Sequence, residues 1–464
     1  MIQPLSHLAV RLAALAALLL PAPHAVEQQG APLRTDRPNI VLIITDDMGW
    51  ADLGSYGARD VRTPNLDRLA RQGVRFTDFY ANGVSCTPTR TGLITGRYQQ
   101  RYGAEFPLAA DGERMEPGAH ALDASPTSLP RLLANGGYAT ALVGKWHLGY
   151  EPAQSPAAHG FQYFFGLKSG YHDYWRHTDS RGQPDLWEND ARVSVTGYTT
   201  DLIASKTVDF ITRHKDEPFF VDVAFNAPHW PFQRPGTPSV AVDDARFLKP
   251  ADSLTSSRAD YVTLVERMDQ GVGEILATLD RLGLARNTIV VFTNDNGGEW
   301  LSDNGPHFHR KFTTWEGGIR VPAIVRWPGR IPAGTVTRQV GITMDLTASV
   351  LAASGVAVPV DARLEGMNLL PVLERRTAVA ERTLFWRSTG LGRNMRAVRR
   401  GDLKIVVEGG HLFLFDVHRD PGERHDMARF RTADARTLRQ ALDAWERDVD
   451  AEATVRLGAR EGAR

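Results

Sequence analysis

Asp46, Asp47, Asp295 and Asn296 form an oxygen-only donor set at the ends of two apolar segments. Three carboxylates brought together repel unless a cation neutralises them, and all-oxygen ligation selects Ca²⁺ or Mg²⁺ rather than zinc. An Asp-Asp pair alone also suits a helix cap or a turn. The single cysteine, Cys86, stands in the run Ser85-Cys86-Thr87-Pro88-Thr89-Arg90, which reads C-x-P-x-R. Ser85 or Thr87 can cap a helix there and Pro88 suits its first turn, so a thiol at the positive end of a helix dipole is expected to be acidified and reactive. Lys145 and His147 lie two apart on an extended segment and can face one pocket. Lys311 precedes Glu316-Gly317-Gly318-Ile319-Arg320, and His229 is followed by Trp230-Pro231-Phe232. Each of these four would be ordinary alone, as a solvated lysine or a hydrogen-bonded histidine. His307 and His309 sit in a polar loop that fits a structural or a substrate-facing role equally.

Four apolar runs position these groups. Asn39–Thr45 leads into Asp46-Asp47, Tyr138–Val143 into Gly144-Lys145-Trp146-His147, Phe219–Phe225 into Asn226-Ala227-Pro228-His229, and Thr288–Thr293 into Asn294-Asp295-Asn296. Such runs read as buried parallel strands. Helical patterns cover Pro64–Gly73, Ser128–Asn135, Thr200–His214, Arg258–Leu282 and Met344–Ala353. The alternation implies a doubly wound α/β sheet, in which ligands bind beyond the carboxyl ends of the strands. All four strands deliver their polar groups at that end. After about Arg376 the pattern changes to short β-like runs, Met395–Val398, Leu403–Val407 and His411–Phe415, and then an amphipathic helix over Thr437–Val449. A small antiparallel sheet with a terminal helix is expected there, frayed beyond Ala451.

The length of 464 residues fits a large domain plus a small one. With 54 basic and 54 acidic residues there is no global field to recruit nucleic acid. Only seven of the basic residues are lysine, so Lys145 and Lys311 carry extra weight. Arg11, the apolar run Leu12–Leu20 and Pro21-Ala22-Pro23-His24-Ala25 have the form of a secretory signal spanning residues 1–25, too short to cross a bilayer. Export to a periplasm or the cell exterior is expected. One cysteine permits no internal disulfide, so stability must come from the core.

Taken together, the chain resembles the type I sulfatase family, the formylglycine-dependent branch of the alkaline-phosphatase-like superfamily. The resemblance rests on Thr45-Asp46-Asp47, Cys86-Thr87-Pro88-Thr89-Arg90-Thr91-Gly92, Gly144-Lys145-Trp146-His147-Leu148-Gly149, Ala227-Pro228-His229, Asp295-Asn296-Gly297 and Lys311 with its Glu-Gly-Gly-Ile-Arg sequel, in the family's order. Asn294 departs from the family's usual serine. The resemblance implies an alkaline-phosphatase-like α/β fold: a large mixed, mostly parallel sheet flanked by helices over residues 38–375, with the small C-terminal sheet and helix over 376–464.

It also implies roles. Cys86 would be oxidised by a separate formylglycine-generating enzyme, and a hydroxyl of the hydrated aldehyde would attack sulfur. Asp46, Asp47, Asp295, Asn296 and the residue at 86 would hold one Ca²⁺, with Mg²⁺ as the alternative. Arg90 would hold the diol, and Lys145 and Lys311 would clamp the sulfate oxygens. His229 would protonate the leaving oxygen, and His147 would take the diol proton that expels sulfate. Sulfated carbohydrate is the favoured substrate class, and His172, within Ser169–His177, is the candidate lining of a sugar pocket. The rivals are a formylglycine-dependent phosphonate monoester or phosphodiester hydrolase and a non-catalytic binder of sulfated glycans. The oligomeric state stays open.

Overall fold

The computed structural model describes residues 37–109, 118–236, 256–390 and 392–461, so the signal-like segment 1–25 lies outside the described residues. In chain order the strands are β1 (Asn39–Thr45), β2 (Val74–Phe76), β3 (Phe79–Tyr80), β4 (Ala139–Lys145), β5 (Tyr163–Leu167), β6 (Trp187–Glu188), β7 (Ala191–Arg192) and β8 (Phe219–Ala224). They continue with β9 (Thr288–Asn294), β10 (Ala323–Arg326), β11 (Thr335–Thr337), β12 (Gly341–Ile342), β13 (Thr383–Ser388), β14 (Met395–Arg400), β15 (Leu403–Glu408) and β16 (His411–Asp416). Ten of them form one sheet in the order β11-β2-β10-β9-β1-β8-β4-β5-β6-β7.

The four apolar runs are neighbours in that sheet. β9, β1, β8 and β4 are mutually parallel, so their carboxyl ends share one edge. Every residue of these four strands is buried, because helices cover both faces. Val41, Ile43, Val221 and Val223 point into one core with Ile203, Leu264 and Leu276 of the helices Thr199–Arg213 and Arg258–Arg281. Their neighbours Ile40, Leu42 and Phe220 point into the other with Leu93, Leu132 and Leu351. The sheet is mixed: β10 runs antiparallel to β9 and β2, and β6 antiparallel to β5.

The C-terminal region departs from expectation in two ways. Its sheet has four antiparallel strands, β13-β14-β15-β16, with β13 added to the three anticipated. Its helix runs unbroken over Thr432–Glu461, where fraying was expected beyond Ala451. The sheet and this helix enclose a third core that also takes Tyr80, Val84, Trp315 and Ile319 from the main body. No helix among the described residues is long and apolar enough to cross a membrane.

Candidate active site

β1 ends at Thr45 and presents Asp46 and Asp47. Its neighbour β9 ends at Asn294 and presents Asp295 and Asn296, while β8 leads to His229 and β4 ends in Lys145. Asn294 ties the first two exits together: its Oδ1 accepts from Thr45 Oγ1 at 2.8 Å and its Nδ2 donates to the Met48 carbonyl at 2.8 Å. Cys86 is the first residue of the helix Cys86–Thr95. Ser85 stands at the cap position without a side-chain cap bond, and the Thr87 hydroxyl instead donates to the His147 carbonyl at 2.9 Å. Gly144 has φ +123°, and a Cβ there would sit 1.9 Å from the Ala224 carbonyl oxygen, so only glycine lets β4 lie this close before Lys145. Asp47 and His147 hold left-handed φ of +64° and +55°, a strain tolerated where surrounding structure enforces it.

These exits bring ten candidate residues together. Cys86 Sγ lies 3.4 Å from Asp46 Oδ1, whose other oxygen meets the Lys145 ammonium. Lys311 Nζ donates to Asp47 Oδ2 at 2.8 Å, and His229 Nε2 lies 3.4 Å from the same oxygen. Arg90 donates twice to Asp295 Oδ2, at 3.1 and 2.9 Å, and through Nη1 to the Lys145 carbonyl at 3.1 Å. Asn296 Nδ2 donates to Asp47 Oδ1 at 2.7 Å. All ten are buried.

The electrostatics follow from burial set against these partners. Burial raises the Asp47 carboxyl, but Lys311, His229 and Lys145 outweigh it and hold the group well below the usual range. Burial, then the Asp46 charge, pushes Asp295 up to about 6 despite Arg90. The Cys86 thiol corrects an expectation: burial and the Asp46 charge push it well up, so the helix dipole does not leave a reactive thiolate. Burial, with Lys145, keeps His147 well below its ordinary value, and burial, with the lysines, pushes His229 down to about 3.

The donor chemistry fits a hard divalent cation. Asn296 Oδ1 is buried with no hydrogen-bond partner, on the same amide whose Nδ2 donates to Asp47. Ligand atoms of Asp46, Asp47, Cys86 and His229 all lie within 4.8 Å of one another. His229 thus enters the tight group, whereas Asp295 stands outside it with Oδ2 on Arg90.

His172 does not face this site. It is wholly buried, with Nδ1 3.3 Å from the Asp185 carbonyl and Nε2 2.9 Å from Thr199 Oγ1. From the same segment it is Tyr171 that reaches the site, its ring stacked on His229 at 5.3 Å and 4.0 Å from Trp230. His307 is likewise buried, its ring 4.8 Å from Trp50 and Nδ1 3.2 Å from the Pro421 carbonyl. Sequence reasoning also passed over Glu299, whose Oε2 lies 3.6 Å from Lys311 Nζ. Burial, opposed by Lys311 and helped by Asp47, pushes Glu299 up to about 7. Its only sequence signal is its place three residues after Asn296. Asp222, an acid inside an apolar strand, is pushed up to about 7 by burial and acts electrostatically on Arg90.

The family model described as Sulfatase matches residues 38–356, and that of the N-sulphoglucosamine sulphohydrolase C-terminal region matches 305–446. The N-acetylgalactosamine-6-sulfatase of Rattus norvegicus is 36% identical over 414 residues, covering 83% of this chain and 74% of its own. Arylsulfatase G of Mus musculus is 31% identical, covering 84% and 80%. The solved structure of Ps i-CgsB, 29% identical, covers 88% of this chain and 92% of that one at a TM-score of 0.78, and has also been solved with k-i-k-neocarrahexaose. A model match over most of the chain, and relatives above 30% identity along it, leave one conclusion: this chain belongs to the sulfatase family and is a sulfuric ester hydrolase.

Proposed function

We propose that the mature protein hydrolyses sulfate monoesters of carbohydrates, using a formylglycine made from Cys86 by a separate maturation enzyme. Asp46, Asp47, Asp295 and Asn296 would hold Ca²⁺, with Mg²⁺ as the alternative. When bound, that cation polarises the sulfate and favours the ionised form of the hydroxyl at position 86. The observation that carries the reading is the meeting of Cys86, three carboxylates and two lysines in one buried site.

Lys145 and Lys311 are placed to meet charge that develops on the sulfate oxygens. Arg90, fixed by Asp295 and the Lys145 carbonyl, orients the hydrated residue 86. His229 donates a proton to the departing sugar oxygen, and His147 accepts one from residue 86 as sulfate leaves. The net reaction takes one water and a sulfate monoester to an alcohol and hydrogen sulfate. Carbohydrate as the substrate class is supported by the names of the relatives and by the saccharide in the Ps i-CgsB complex. The signal-like residues 1–25 support export to a periplasm or the exterior.

Mass spectrometry of active protein tests the reading. The peptide containing residue 86 should be lighter by the difference between CH₂SH and CHO, and Cys86→Ala should abolish turnover. Metal analysis should return one Ca²⁺ or Mg²⁺ per chain, and chelation should lower both activity and Tm, since an ion bound only to the folded state stabilises it by mass action. Full activity from wholly unmodified Cys86, or stoichiometric zinc, would overturn it.

A further inference from the structure

We propose that Arg326, with Arg71 and Arg330, forms a second anion site, which takes a sulfate-type oxyanion at the end of the sheet away from the catalytic edge. Arg326 closes β10 and lies opposite Val290, near the start of β9, whose other end presents Asp295 and Asn296. The residue is 3% exposed, yet its guanidinium is only partly bonded. Nη1 donates to Gln72 Oε1 at 3.1 Å, whereas Nε and Nη2 are buried with no hydrogen-bond partner among the described residues. Those two atoms form the side edge of the guanidinium, the fork that grips two oxygens of one oxyanion. Arg90 uses the same edge on Asp295 Oδ2.

Arg326 lines a cavity of about 630 Å³ with Arg71 and Arg330, against a single acid, Asp280. Burial, together with Arg68, holds the guanidinium below its ordinary value, and Asp280 opposes this only through its charge. Gln72, the partner of Nη1, is exposed at the end of its helix, so the fork lies close to the surface. Arg330 is steadied by Glu374 at 2.7 Å and by the Trp327 ring at 4.5 Å. The helices Pro64–Gln72 and Arg258–Arg281 both end at this cavity, and their negative ends explain a cation here. They leave the two donors of the fork unbonded. A buried guanidinium with unpaired donors is costly, and an oxyanion meets both its charge and its geometry. Sulfate, the inorganic product of a sulfuric ester hydrolase, is such an ion, and the sulfate group of a saccharide presents the same oxygens.

Calorimetric titration with sodium sulfate, at neutral pH and in a constant chloride background, counts the sites. However many sulfates the wild type takes up, Arg326→Met should take up one fewer, and Arg71→Gln should weaken that site several-fold. Without sulfate, Arg326→Met should be at least as stable as the wild type, because it removes a buried charge whose donors are unpaired. Sulfate at about a hundred times Kd should then raise the wild-type Tm by a few degrees more than that of the variant, which keeps only the general salting effect. A one-site difference with sodium sulfate identifies the free ion as the ligand. A difference seen only with a dextran sulfate oligosaccharide, and not with unsulfated dextran, identifies the chain-borne group. An arginine that merely offset the helix ends would cost stability in Arg326→Met equally with and without sulfate, and that result overturns the site. Equal uptake of both ligands by the two proteins overturns it as well. Should Arg326→Met not fold, the exposed Arg71→Gln decides, an unchanged affinity for both ligands counting against the site.

Discussion

The two histidines of the site are held in opposite tautomers. His229 Nδ1 lies 2.6 Å from the Trp230 carbonyl, which can only accept, so Nδ1 carries the hydrogen and Nε2 faces Asp47. His147 Nε2 lies 3.0 Å from the Leu108 carbonyl, so Nε2 carries the hydrogen there, and its Nδ1 is buried without a partner. Gly170 makes room for that ring, since a Cβ would lie 2.6 Å from His147 Cε1. An unpartnered basic nitrogen suits the group that accepts a proton. His229 is neutral in the free site, pushed down to about 3 by burial and the lysines and opposed only by Asp47 and the Trp230 carbonyl. It can donate once an anionic ester offsets the lysines. A sugar alkoxide leaves poorly unassisted, so His229→Ala should cost roughly 10²–10⁴-fold on a saccharide sulfate, the usual scale of general acid catalysis. A nitrophenolate leaves readily, so the same variant should lose far less on an aryl sulfate. His147→Ala should slow both substrates to a similar rate after one equivalent of alcohol is released. Equal losses for His229→Ala on both substrates would show the assignment to be wrong.

At the scale of elements, legibility tracked burial on both faces. β1, β4, β8 and β9 show in the sequence as unbroken apolar runs because helices cover both sides of each. The motif residues at their exits were legible for the same reason, since each strand points its last polar group at one edge. β13 escaped notice because only alternate residues are buried and Arg387 interrupts it. Strands of two or three residues, such as β6 and β11, are too short to show a period. Glu299 was missed because its role comes from a neighbour distant in sequence, Lys311. Within Ser169–His177 the choice of His172 over Tyr171 failed because it is the packing against His229 that decides which residue reaches the site. The last turns of the C-terminal helix looked frayed because its apolar stripe ends at Val449, but arginines hold them. Arg97 donates to both Glu452 oxygens, at 2.7 and 2.8 Å, and Arg101 bridges Glu452 and Glu365. Burial raises Glu452, but Arg97 and Arg456 outweigh it and bring the carboxyl down to about 2. A carboxyl lowered on folding stabilises above its unfolded value, near 4.5, and the gain is lost as pH falls toward 2. Glu452→Gln should therefore cost about 1 kcal/mol at neutral pH, discounted for its solvent contact, and progressively less below about pH 4. Denaturant unfolding of both proteins at neutral pH and near pH 3 measures the difference, and a pH-independent gap would argue against the clip.

Over the whole molecule, the second sheet supports the catalytic edge through a buried ionic cluster. Lys404 of β15 is wholly buried and donates to Glu316 at 2.8 Å and Glu423 at 2.9 Å. Glu316 also accepts from Tyr80 at 2.7 Å and Arg320 at 2.9 Å, and Glu423 accepts from the Glu316 backbone N–H at 2.6 Å. Glu316 lies five residues after Lys311, so the cluster fixes the far end of the loop that carries the clamp. The near end is held by the Lys311 N–H on the Gly298 carbonyl and the Phe312 N–H on that of Val84. Burial pushes Glu423 up to about 7 even with Lys404 beside it, whereas Lys404 and two arginines hold Glu316 well down against burial. Lys404→Met removes the cation between two buried carboxylates, which should cost about 3–5 kcal/mol where both are ionised. Protonating Glu423 relieves the repulsion, so the loss relative to wild type should be larger at pH 8 than at pH 6. Adding Glu423→Gln should restore part of the stability and flatten that pH dependence. Unfolding curves for the three proteins at both pH values, with aryl sulfate turnover alongside, decide the matter. A loss independent of pH, or a double variant no better than the single, would mean that Lys404 acts by packing alone, and normal turnover in a folded Lys404→Met protein would uncouple the cluster from the Lys311 loop.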